Sequence, residues 1–278
     1  MLEFFTVLAD PNVPFLRYAL LVGLLSAIPF GIIGSYVVVR RISSLAGAIS
    51  HCLLAGIGGG LYLERVVGWS YCGPVSGAFV VAVVAAAILA WAHFRAGQRE
   101  DSVIGALWSV GMAIGLLFLA ATPGYTDPMS YLFGNILLIG QSDMYFVLAL
   151  DVVVLGLAAF FHPQFLALCF DDEFARLRGL PTNWLYFLLL CLTAMTIVLL
   201  VRVVGIVMVI ALLTLPAAIA GNFASGIGGM MVGAVLACAS FIFCGMAISY
   251  SLDLPTGPVI ICLAALTYLI TSLKSSIR

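Results

Sequence analysis

Three side chains in an otherwise apolar chain have the chemistry to hold a metal ion. His51 lies in ISHCLLAGI between Ser50 and Cys52, Asp151 lies in ALDVVVLG, and Asp253 opens DLPTGP. Imidazole and carboxylate are donors that suit Zn2+, Mn2+ or Fe2+. Inside a membrane span such a group costs a few kcal/mol or more, which makes it a candidate for function. A plainer reading stands beside each one. His51 is equally a hydrogen-bonded packing residue, Asp151 a helix-packing carboxylate bonded to a hydroxyl, and Asp253, like Asp127, a turn residue. The seven cysteines are scattered, without CxxC or Cys/His ligand spacing, and read as small apolar fillers. Enzyme signatures are missing: there is no HExxH, GxGD or GxSxG. Lys274 is the only lysine, so no Walker A loop exists and any use of ATP must come through a separate subunit.

The elements that position these residues follow from composition. Hydrophobic residues make up 64% of the 278 positions and charged residues 8%, against roughly 25% charged in a soluble domain. Lipid must be the solvent, and runs of about 20 apolar residues cross it as helices. The apolar blocks fall at 13–39, 44–60, 72–91, 102–121, 143–161, 184–201, 205–220, 226–250 and 259–273, with a shorter, interfacial or re-entrant stretch at 129–140. The fold class is therefore all-α, a polytopic membrane bundle of about nine spans in a single domain over residues 1–278. The turn at Arg202 is the weakest boundary, and eight spans result if one block does not cross. The first residues have no basic n-region and no small-residue cleavage site, so the first helix is expected to be retained.

Alternating sides puts Arg40, Arg41, Arg95, Arg99, Arg176, Arg178, Lys274 and Arg278 on one face, eight of the eleven basic residues. That face is the cytoplasmic one, with the N-terminus outside and the C-terminus inside. A net charge of −1 gives no field that would favour a nucleic-acid partner. On the cytoplasmic side, residues 170–180 (FDDEFARLRGL) form an amphipathic segment. Asp171, Asp172 and Glu173 start it, where a helix dipole favours anions. Ala175 and Arg176 lie within it, and Gly179 is a C-cap followed by Pro181. It reads either as a solvated loop helix or as a docking helix for a cytoplasmic ATPase.

This segment resembles the coupling region of vitamin B12- and siderophore-type permeases. Further blocks narrow the likeness: VVVRRISSLAGAISHCLLAGI (37–57), EDSVIGALWS (100–109), YLFGNIL (131–137), VVGIVMVIALLTLPAAIA (203–220) and DLPTGP (253–258). In this order they resemble the metal-ion permeases of ABC importers that take up zinc, manganese or iron. The resemblance implies a B12-importer-like (type II) permease fold in a bacterial inner membrane and a homodimer with the pathway at its interface. It also implies cytoplasmic ATP-binding subunits that dock on 170–180 and an extracytoplasmic metal-binding protein on the outer loops. The metal is cargo, with no permanently bound cofactor, and the chain is not itself a catalyst. His51 occupies the family's histidine position. Members usually carry an aspartate four residues earlier, on the same helix face, where this chain has Gly47; Ser109 stands where some zinc-type relatives carry a histidine. Either the ion passes a weaker site or another carboxylate, Asp151, substitutes. The rival class is a gradient-driven secondary carrier for a small polar solute or ion, which would need no ATPase.

Overall fold

A computed structural model describes residues 14–69, 71–95, 100–124 and 140–276. The first thirteen residues, Arg99, Arg278 and the stretch 125–139 with Asp127 and the YLFGNIL block lie outside the described residues. Everything described is helix or short connection, because in lipid each backbone N–H and C=O must find its partner within its own segment. The helices are α1 Pro14–Val39, α2 Ser43–Tyr62, α3 Pro74–Arg95, α4 Glu100–Ala121, α5 Gln141–Phe160, α6 His162–Phe170, α7 Asp172–Leu177, α8 Thr182–Val204, α9 Ile206–Gly221, α10 Ile227–Leu252 and α11 Thr256–Ser276. A five-residue π-helical turn, Leu63–Val67, extends α2.

Six of these runs are long and apolar enough to cross a membrane: α1, α2 with its π turn, α3, α4, α10 and α11. The pair α5 and α6 makes a seventh if taken as one broken span, and shorter apolar helices lie at Thr182–Val198 and Ile206–Gly221. Together they account for the nine apolar blocks, with differences in detail. The fifth block does not end at 161. It bends by 66° and continues as α6, where Pro163 in the first turn has no N–H to give and crowds the turn before it. The boundary expected at Arg202 falls three residues later, at Gly205, whose φ of 83° and ψ of 157° are open in practice only to glycine. Pro216, by contrast, is carried inside a continuous α9.

Two helices organise the packing. α2 is the most buried, with 83% of its membrane-length window covered against 17% for α11, and it packs on α3, α4, α8 and α9. α1 packs on α10, α9, α5 and α8. Small residues allow the close approach: a Cβ at Gly56 would overlap the Gly77 carbonyl, and one at Gly60 the Gly73 carbonyl. The sides also agree with the basic-residue pattern. Arg40 at the end of α1 forms an ion pair with Asp172 of α7. Its guanidinium lies 5.7 Å from the Tyr186 ring near the start of α8, and His93 at the end of α3 stacks on the same ring, centroids 4.3 Å apart. One end of the bundle thus gathers the ends of α1 and α3, the start of α8, and α7.

Candidate functional site

His51 sits two turns into α2, half-buried. Its ring stacks on Trp108 of α4, with centroids 4.3 Å apart and planes 19° from parallel. Its Nδ1 is buried and has no hydrogen-bond partner, so a lone-pair or N–H position there is chemically unspent. The flanking polar groups have partners for their hydrogens: Ser50 Oγ donates to the Ala46 carbonyl at 2.9 Å, and the Cys52 thiol to the Leu107 carbonyl at 3.1 Å. One turn before His51, Gly47 lies under the same indole; a Cβ there would stand 3.0 Å from Trp108 Cζ3. The packing reading of His51 as a hydrogen-bonded residue therefore lacks its hydrogen bond. Trp108 was not singled out from the sequence. A tryptophan within a span instead of at its interfacial end is the signal that could have flagged it.

Asp151 is 4% exposed on α5, and neither carboxylate oxygen has a hydrogen-bond partner. No hydroxyl satisfies it, so the plain packing reading is incomplete here too. The structure does not bring it to His51. α5 packs mainly on α1 and α8, and its contact with α2 is marginal at most. Among the described residues no group of three His, Cys, Asp or Glu forms a metal cage. Asp253 closes α10 as an exposed cap in the left-handed conformation, φ 52° and ψ 44°, which is the turn role. Next to it the Ser249 hydroxyl bonds the Leu254 carbonyl at 2.5 Å and shares a 2.8 Å bond with Thr256 Oγ1. Another polar pair absent from the sequence reading lies at the α5–α6 bend, where the Tyr36 hydroxyl and His162 Nδ1 share a hydrogen bond of 2.5 Å.

The expected docking segment folds as a shorter helix, α7, with Phe170 closing α6 instead of opening it. Asp171 is its N-cap: one carboxylate oxygen accepts the N–H of Glu173 at 2.9 Å and of Phe174 at 3.0 Å. Gly179, at φ 78°, ends it. Its N–H donates to the Arg176 carbonyl, and the Leu180 N–H reaches back to the Ala175 carbonyl, at 2.9 and 3.1 Å. Arg176 Nε donates to Thr182 Oγ1 at 3.1 Å, tying α7 to α8. Ala175 is fully buried beneath, while Phe174, Leu177, Glu173 and Arg178 face outward. The helix thus shows exposed apolar side chains, is capped at both ends and is ion-paired to Arg40 at the end of α1.

The model of the ABC 3 transport family matches residues 12–275. A probable metal transport system membrane protein of Chlamydia pneumoniae is 41% identical over 86% of this chain and 81% of its own length. A manganese transport system membrane protein, MntC, of Listeria monocytogenes is 31% identical over 93% of this chain and 90% of its own. Among solved structures, PsaBC of Streptococcus pneumoniae, determined in complex with a Fab, aligns with a TM-score of 0.84 at 29% identity, covering 97% of this chain and 94% of that one.

Proposed function

The chain belongs to the ABC 3 transport family, and from that premise we propose that it is the membrane permease subunit of an ATP-driven importer for a divalent transition metal: zinc, manganese or iron. It is a transport subunit, multi-pass in a bacterial inner membrane. Hydrolysis of ATP belongs to separate cytoplasmic subunits, which grip α7; a metal-binding protein delivers the ion at the outer face. Two copies form the membrane unit, with the ion path between them. Closure of the ATPases on ATP moves α7, and the movement reaches α1 through the Arg40–Asp172 pair and α8 through Arg176–Thr182.

The observation that carries the coupled reading over a gradient-driven carrier is α7 itself. This six-residue helix is capped at both ends and exposes Phe174 and Leu177, an apolar hold for a separate ATPase subunit that a gradient-driven carrier would not require. Within the membrane, His51 with its unbonded Nδ1 serves as a pathway ligand, and Asp151 as a separate buried carboxyl on another helix. The test is ATP hydrolysis in lipid vesicles containing the chain, its cognate ATPase and a binding protein loaded with Zn2+, Mn2+ or Fe2+. Stimulation by one metal, lost in Phe174→Asp, supports the importer and names the cargo. Failure to assemble with any ATPase, with uptake driven by an ion gradient instead, would replace it with the carrier.

A further inference from the structure

His51 faces an aromatic plane on the side where a second ligand would have to stand, and this bears on which ions the pathway accepts. On a helix the position one turn before a ligand is the natural place for its companion, since i and i+4 share a face. Here that position is Gly47, and the indole of Trp108 lies against it: a Cβ there would stand 3.0 Å from Trp108 Cζ3, so a side chain enters only if the ring gives by a few tenths of an ångström. The same indole stacks on the imidazole. Gly47, His51 and Trp108 are one steric unit, in which the indole crowds the position of the glycine. The neighbouring Ser50 hydroxyl and Cys52 thiol turn their hydrogens to the backbone carbonyls of Ala46 and Leu107, and neither is a carboxylate. Among the described residues, no carboxylate forms an ion pair with His51.

We propose that Trp108 is a specificity-determining residue. Together with Gly47 it removes the second ligand position from the His51 helix face and leaves one imidazole stacked on a neutral π surface. A cation bound to that imidazole spreads charge into the ring, and the indole face attracts that charge. Among the described residues, what this face of α2 lacks is an oxygen anion beside His51. Carboxylate oxygens suit Mn2+, whereas imidazole nitrogen suits Zn2+ and Fe2+, so the site favours Zn2+ and Fe2+ over Mn2+. The inference rests on the reading of His51 as a pathway ligand.

The experiment measures equilibrium binding of Zn2+ and of Mn2+ to the full chain, assembled with its ATPase in lipid and without the binding protein, so that the permease's own preference is read. Variants are His51→Ala, Trp108→Ala, Gly47→Asp and the pair Gly47→Asp with Trp108→Ala. Zn2+ is expected to bind the parent more tightly than Mn2+. Trp108→Ala weakens Zn2+ binding by about fivefold through loss of the stacked ring. The double variant, which has room for the carboxylate, gains Mn2+ affinity by about tenfold and narrows the Zn2+/Mn2+ ratio. Gly47→Asp alone presses on the indole and is expected to lower thermal stability. If Trp108→Ala and the double variant keep the parent's ratio while His51→Ala loses Zn2+, the specificity role is overturned and the ligand role of His51 stands. If His51→Ala binds Zn2+ like the parent, both fall together.

Discussion

His51 and Asp151 are the ionisable side chains that the membrane interior should tolerate least, and each is left with unspent bonding capacity. An unpaired polar atom in a buried site costs about 1–3 kcal/mol, so its retention points to a use that the resting protein does not display. For His51 the expected outcome of His51→Ala is a loss of metal uptake of about tenfold or more, at normal expression, checked by isotope uptake in vesicles. Asp151 has both carboxylate oxygens unbonded at 4% exposure. Asp151→Asn should therefore raise the thermal midpoint, since a charge deep in a span costs about 3 kcal/mol. If the anion handles the ion, uptake falls in the same variant; unchanged uptake would leave Asp151 without a transport role. Both residues were legible in the sequence because a charge or imidazole interrupts an apolar run. Trp108 was not, because its meaning lies in what it touches across two helices, and no spacing along the chain encodes that contact. The idea that Asp151 completes the His51 site fails on geometry within one chain, since α5 and α2 scarcely meet.

Local rules of sequence govern α7 more fully than any other element. Asp171 caps it, Gly179 ends it in a conformation that disfavours side chains, and the anions sit at its positive end. Gly179→Ala should cost about 1 kcal/mol at φ 78°. The expected sign is a drop in metal-stimulated ATP hydrolysis with the ATPase still bound, read by co-purification and phosphate release. The Arg40–Asp172 pair belongs to the same scale. Asp172→Arg should uncouple hydrolysis from uptake, and adding Arg40→Asp should restore much of it; a part-buried pair of this kind carries about 1 kcal/mol of coupling in a double-mutant cycle. The helix was legible from its caps, but its length was overestimated. Phe170 belongs to α6, because the bend at Phe161 starts a new helix that the apolar pattern alone could not separate from a span.

For the molecule as a whole, charge distribution and apolar run length set the number of helices and their sidedness, while close packing sets their order. Gly34 lies so near the Leu213 carbonyl, and Gly56 so near that of Gly77, that any side chain would drive the helices apart. Gly34→Val and Gly56→Val are each expected to abolish folded expression, measured as monodisperse protein after detergent extraction, because backbone is the obstacle and it cannot swing aside. The glycines stand plainly in the sequence, but the backbone each one meets is defined only by the assembled bundle.

The 66° bend between α5 and α6 gives the chain a short arm with an elbow. α6 is nine residues long, about 14 Å at 1.5 Å per residue, and runs from the bend at Phe161 to the residue just before the cap of α7. A swing of about 10° at that elbow carries the far end by about 2 Å, the size of the helix shifts that switch packed interfaces. A stroke of that length, delivered at α7, needs no helix of the inner bundle to unfold or slide a full turn. The Tyr36–His162 hydrogen bond sits at the elbow and would feel the motion first.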